Sequence, residues 1–304
     1  MPLLSVVLPA YNEEAMIPKT ISELTSVLLG AQISFELVFV DDGSRDATWQ
    51  LITVAAKKNP RIHGVHFSRN FGKEAAIFAG ISAASGDCIA VMDCDLQHPP
   101  ETMVEMYRLW EEGYEVVEGV KRTRQKESGF HKACSGAFYR VMSRATGVDM
   151  MRASDFKLLD RKAADALLEI SEHNSFFRAQ SSWIGFQTTS VEFDVQDREA
   201  GESKWSTTKL IRYAVSNIVG YTSVPMQIVT TVGVLFLVLS LILGIQTLVH
   251  YAAGHAVEGF TTVILLLLII GSILMISLGI IGYYISRIFQ EVQGRPKYII
   301  SKRV

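Results

Sequence analysis

Cysteine is scarce and the two charge signs almost balance, and each shortage removes a class of protein. Cys88, Cys94 and Cys134 are the three cysteines in 304 residues, an odd set without metal-ligand spacing. A disulfide framework or zinc cluster is therefore not expected, and a reducing compartment fits. With 29 basic against 31 acidic residues the formal charge is -2, which gives no general argument for nucleic acid as a partner. No G-x-G-x-x-G turn follows the first apolar strand and no G-x-x-x-x-G-K-[ST] loop occurs, so dinucleotide oxidoreductase and P-loop readings lose their main support. Met1 to Ala10 lacks the basic region and apolar core of a secretory signal, so the start of the chain is expected to stay cytosolic.

Apolar residues make up 49% of the chain and charged ones 20%. That is too apolar for a disordered chain, and no collagen-like or coiled-coil pattern is present. The length allows about two domains. Between Arg212 and Glu258 there is no Asp, Glu, Lys or Arg, and a second uncharged run covers Phe260 to Ile285. At about 1.5 Å per residue each run is long enough to cross a bilayer, over about 228–250 and 260–285. A buried hairpin in a soluble core is the alternative.

Lys204, Lys209 and Arg212 precede the first run, basic residues follow the second, and Tyr251 to Gly259 between them carries none. The positive-inside rule then puts both ends in the cytosol, with the connector outside. Residues 226–304 carry five basic against two acidic side chains, a net charge of +3 that leaves -5 for the rest. Gly233, Gly244, Gly271, Gly279 and Gly282 permit close helix packing or homo-oligomer contacts, though such glycines are ordinary in membrane helices. Leu210, Ile211, Ala214, Val215, Ile218 and Val219 recur at helical spacing before Pro225. An interfacial helix and a helix packed on a soluble domain fit that pattern equally.

Upstream, strand-like runs at 5–9, 35–40, 62–67, 87–92 and 115–119 alternate with helical patterns at 14–29, 46–57, 73–84 and about 99–112. Such alternation predicts a mostly parallel α/β sheet with helices on both faces and a site at the carboxyl ends of its strands. Polar residues gather at those ends: Tyr11, Asn12 and Glu13; Asp41 and Asp42; Arg69 and Asn70; Asp93, Asp95 and Gln97. Any one set is explained by helix capping, but four on one rim suggest a site. Asp93-Cys94-Asp95 offers two hard carboxylates that, with diphosphate oxygens, suit Mg²⁺ or Mn²⁺.

The segments Ser5–Glu14, Val40–Ser44, Arg69–Lys73 and Met92–Pro100 together resemble family 2 glycosyltransferases. More narrowly, the chain resembles polyisoprenyl-phosphate glycosyltransferases, the group with bacterial undecaprenyl-phosphate glucosyltransferases and dolichol-phosphate mannose synthases. Ser154–Arg161, Trp183–Phe186, Arg198–Lys204 and the two-helix tail extend the likeness over nearly the whole chain. The resemblance implies a Rossmann-like GT-A domain over 1–204, an interfacial amphipathic helix over 205–225 and a membrane domain over 226–304, ending in a transmembrane hairpin and a basic cytosolic tail.

The implied reaction is inverting transfer of a hexose from a nucleotide sugar to a membrane polyprenyl phosphate. UDP-glucose is the favoured donor; GDP-mannose, UDP-N-acetylhexosamine and UDP-aminoarabinose are alternatives. By the same resemblance Pro9, Tyr11, Glu13, Asp42, Lys73 and Asp93 bind the donor, with Asp42 near its base or ribose, and Asp93, Asp95 and Gln97 hold the metal. Asp95 and Asp155 carry catalytic roles, Asp155 by orienting the acceptor phosphate or taking its proton, unless it is only a structural acceptor near a strand start. Arg122, Lys132, Ser135, Arg198 and Lys204 form the cradle of the acceptor phosphate. His131 stands four before Ser135, where some dolichol-type members carry arginine, and Lys132 is the neighbouring substitute. Lys121, Arg124 and Lys126 read as a solvated loop. A processive polysaccharide synthase is disfavoured because Gln180-Ser181-Ser182-Trp183 lacks the arginine of Q-x-x-R-W. A non-catalytic nucleotide-sugar-binding scaffold is the alternative from another class.

Overall fold

A computed structural model describes residues 2–122, 154–170, 172, 176–194, 224–254 and 259–304. They fall into two units, one of residues 1–207 with 295–304 and one of residues 208–294.

In the first unit β1 (Leu3–Ala10), α1 (Ile17–Gly30), β2 (Ser34–Asp41), α2 (Thr48–Lys58), β3 (Ile62–Phe67), α3 (Lys73–Ala83) and β4 (Cys88–Val91) follow in alternation. They are followed by α4 (Pro100–Glu111), β5 (Val116–Lys121), β6 (Lys157–Asp160), α5 (Arg161–Glu169), α6 (Phe177–Trp183), β7 (Thr188–Phe193) and, from the chain end, β8 (Ile300–Arg303). The eight strands form one sheet in the order β7-β5-β6-β4-β1-β2-β3-β8. Strands β4, β1, β2 and β3 run parallel, whereas β6 is antiparallel to β4 and β5, and β8 to β3.

Alternation along β1 explains the layering. Leu4, Val6 and Leu8 enter a core with Leu24 and Leu28 of α1 and Met103 and Met106 of α4. Val7 points the other way, toward Ile77 and Ile81 of α3 and Ala163 of α5. Central strands buried on both faces read as unbroken apolar runs, which is why they were legible. At Gly80 a β-carbon would lie 2.2 Å from Val7 Cγ1, so the contact of α3 with β1 requires glycine there.

From the sequence, strand β8 reads as part of a basic tail of the membrane domain, but residues 295–304 belong to the sheet unit. Val304 and Gly64 exchange two backbone hydrogen bonds of 2.9 Å. Tyr298 stacks on Phe67 at 5.1 Å, and Lys297 donates to Ile170 O at 3.1 Å while lying over the Phe78 ring.

The second unit contains α7 (Val224–Ala252) and α8 (Phe260–Val292), both longer than the expected spans. Each holds an apolar window long enough to cross a membrane, Met226–Leu243 and Ile269–Val292, none of it buried. Leu235, Leu237, Leu274 and Met275 are exposed, which does not match a hairpin buried in a soluble core.

Candidate active site

The carboxyl ends of β1, β2, β3 and β4 supply one rim. After β1, Asn12 turns the chain at φ 53°. Its amide donates to Ser44 Oγ at 2.9 Å, its Oδ1 accepts from Arg45 N at 2.9 Å, and Glu13 N donates to Thr48 Oγ1 at 2.9 Å. These bonds tie the Pro9–Glu13 turn to the turn after β2. Pro9 and Tyr11 are both half-buried, and Pro9 O accepts from Cys94 Sγ at 3.3 Å.

Asp42 is buried, and its carboxylate accepts from Phe71 N at 2.6 Å and Gly72 N at 2.9 Å. The nucleoside contact expected of it is thus joined by a second task, pinning the loop that leads into α3. Gly43 lies beneath that loop at φ +69°, where a β-carbon would sit 2.5 Å from Arg69 C, so only glycine fits. Burial pushes the Asp42 carboxyl up to about 6 against the pull of the two amides. Its neighbour Asp41 pairs with His66 at 2.7 Å, and His66 stacks on Trp49.

The loop delivers Lys73 at the start of α3, between two acids. Lys73 Nζ lies 2.7 Å from Asp93 Oδ1 and 2.8 Å from Asp155 Oδ2. Arg178 of α6 grips Asp155 from the other side, Nε to Oδ1 at 2.6 Å and Nη2 to Oδ2 at 3.0 Å. Burial opposes ionisation of Asp155, but Lys73 and Arg178 outweigh it and hold the carboxyl well below the usual range. Burial acts the same way on Asp93, and Lys73 likewise keeps it low. Glu74, next to Lys73, accepts from Phe177 N at 2.9 Å and is raised to about 7 by burial and by repulsion from Asp155.

Asp95 is buried, and its Oδ1 accepts from Gln97 N at 3.2 Å across Leu96, which turns at φ 53°. Among the described residues no group of three or more His, Cys, Asp or Glu side chains is arranged to hold a metal. Asp93 and Asp95, hard oxygen donors two residues apart, nevertheless fit a cation that takes its other ligands from phosphate and water.

Arg122 directly follows β5, with Nη1 3.3 Å from Asp194 Oδ2 and Nε 3.7 Å from Glu192 Oε2. Lys132, Ser135, Arg198, Lys204 and the helix expected over 205–225 lie outside the described residues. Sequence reasoning missed Arg178 and Glu74, and it assigned Lys121 to a solvated loop. Lys121 is the last residue of β5 and is exposed, so it stands at a strand end and not in a loop. His98 is buried against Phe156 at 4.8 Å and kept from charging by burial.

Residues 5–178 match the profile of glycosyl transferase family 2. The chain belongs to this family. This family 2 glycosyltransferase is 36% identical to the uncharacterized glycosyltransferase YkcC of Bacillus subtilis, over 98% of this chain and 93% of that one. It is 34% identical to the bactoprenol glucosyl transferase of Shigella phage SfII, over 98% of this chain and 97% of the relative. In fold it is similar to glucosyl-3-phosphoglycerate synthase of Mycobacterium tuberculosis, with TM-score 0.50 and 20% identity over 72% of this chain and 79% of that one. The transferase thus has a Rossmann-like GT-A sheet, with the Asp93–Lys73–Asp155–Arg178 group at its rim.

Proposed function

We propose that this glycosyltransferase moves glucose from UDP-glucose to the phosphate of a membrane polyprenyl phosphate, inverting the anomeric carbon, on the cytosolic leaflet. The observation that carries the reading is the extent of the match. The relatives named bactoprenol glucosyl transferase align over nearly their whole length, so the likeness takes in the helical unit as well as the sheet. The fold relative solved with Mn²⁺ and UDP-glucose agrees with the choice of donor and a divalent ion.

The geometry suits an acceptor that is already an anion. A phosphate oxygen attacks the anomeric carbon without losing a proton to a strong base, so it calls for positioned cations. Asp155, paired with two cations, is a weak base; in this reading it orients Lys73 and the acceptor and does not remove a proton. Asp93 and Asp95, with Gln97 beside them, would hold Mg²⁺ or Mn²⁺, which supplies neutralising charge for the departing nucleoside diphosphate. Pro9, Tyr11, Glu13 and Asp42 frame the nucleoside. Arg122 contributes to the acceptor cradle together with Lys132, Ser135, Arg198 and Lys204.

The charge pattern supports an even number of crossings: Lys204, Lys209 and Arg212 precede the first apolar run, Arg287, Arg295 and Lys297 follow the second, and residues 251–259 between them carry no Lys or Arg. In this reading both flanks face the cytosol by the positive-inside rule. The test is incubation of the purified full chain with undecaprenyl phosphate, Mg²⁺ and a panel of labelled nucleotide sugars. Label from UDP-glucose entering the lipid phase is the expected result. Label from GDP-mannose or another donor would replace the sugar, and none from any donor would overturn the acceptor.

A further inference from the structure

The fork between Arg178 and Asp155 does more than neutralise a carboxylate. Its two bonds, 2.6 Å to Oδ1 and 3.0 Å to Oδ2, span both oxygens of the carboxylate, and Oδ2 also accepts from Lys73 at 2.8 Å. A bidentate guanidinium fixes the plane of the carboxylate as well as its charge. Arg178 is itself held, because it follows Phe177, whose amide is bound by Glu74 at 2.9 Å and whose ring meets Phe78 edge-on at 6.5 Å. Consecutive residues of α3, Lys73 and Glu74, thus face consecutive residues of α6, Phe177 and Arg178, and Asp155 closes the group between them. Asp155 is buried, while the Arg178 side chain is 27% exposed.

We propose that Arg178 is a positioning residue for glycosyl transfer, acting through Asp155 to set where the Lys73 ammonium stands at the rim. Without the fork, the Asp155 carboxylate turns about its χ2 and Lys73 loses the fixed partner that holds it beside Asp93. The proposal rests on the glycosyl-transfer reading above. Unlike a purely structural ion pair, it requires the effect of Arg178 on turnover to pass through Asp155.

A double-mutant cycle on the full chain in detergent reads this directly, with Arg178→Gln, Asp155→Asn and the double variant. Each is assayed with labelled UDP-glucose and Mg²⁺, both for transfer to undecaprenyl phosphate and for slow lipid-independent hydrolysis of the donor. Arg178→Gln should lower kcat about 10- to 100-fold with the donor KM within about 2-fold, the range for losing a group that orients a reacting side chain. In the Asp155→Asn background the same change should cost less than about 2-fold. Arg178→Lys keeps the charge without the fork, should restore under a tenth of the loss, and carries the cycle if Arg178→Gln does not fold. Multiplying effects in the double variant, or full recovery by lysine, would overturn the proposal. A wild type that hydrolyses UDP-glucose without labelling the lipid would sink the acceptor assignment alone, because the cycle is still read on hydrolysis.

Discussion

The ammonium of Lys73 lies 2.8 Å from Asp155 Oδ2, although the two residues are 82 positions apart in the chain. The same ammonium is shared with Asp93, so one cation links the first turn of α3 to the acids at the ends of two further chain segments. Lys73→Met would leave Asp93 without this cation and Asp155 with Arg178 alone. We expect kcat/KM to fall about 100-fold or more, with Lys73→Arg recovering part of the loss. Steady-state kinetics with the labelled donor check it; a variant within about 3-fold of wild type would remove Lys73 from the site.

Asp95→Asn should abolish turnover, by about 1000-fold or more, while the melting temperature stays close to wild type. Chelation of divalent metal should do the same, reversibly on adding Mg²⁺ or Mn²⁺. Circular dichroism and the transfer assay measured together decide it, and activity that survives both treatments means the paired acids hold no catalytic metal.

Asp42 makes a pH-dependent contribution to stability. Its carboxyl is raised to about 6 by burial, above the ordinary carboxylate value. The folded state therefore binds more protons than the unfolded chain between about pH 4 and 6, and this group's contribution falls as pH rises through that window. At neutral pH the cost is roughly 3 kcal/mol. Asp42→Asn removes the titration, so the melting temperature of the variant minus that of wild type should become more positive from pH 4.5 to 6.5. A difference that stays flat or declines would contradict the assignment.

Tyr298 tests the return of the chain end to the sheet. Its ring stacks on Phe67 at 5.1 Å with 12° between planes. Tyr298→Ala should destabilise the sheet unit by about 2 kcal/mol, and Tyr298→Phe by much less. Thermal melts of the two variants decide it, and equal midpoints for Ala and wild type would mean that the tail is not docked.

The parallel half of the sheet was legible because β1, β2 and β4 are buried on both faces and consist mostly of apolar residues, with Ser5 and Glu36 the polar exceptions inside β1 and β2. Strand β6 was not, since it has four residues and begins with Lys157, a buried lysine that pairs with Glu118. Strand β8 reads Ile-Ser-Lys-Arg, a polar edge strand indistinguishable by composition from a basic tail. In the site, Asp93 and Asp95 stood out because two acids directly follow an apolar strand. Arg178 gave no such signal: it sits on a seven-residue helix, α6, and its meaning depends on a partner 23 positions away. The hydrogen bonds of Asp42 to the loop before α3 were hidden for the same reason, as backbone amides leave no mark in a sequence.

The account stands on the lipid's phosphate being the nucleophile, and the most direct measurement compares undecaprenyl phosphate with undecaprenol as acceptors at equal concentration, with labelled UDP-glucose and Mg²⁺. Label should enter the lipid phase only with the phosphorylated lipid, and the sugar should be released by mild acid as expected for a glycosyl phosphate. Equal labelling of the alcohol, or labelling of neither lipid, would contradict it.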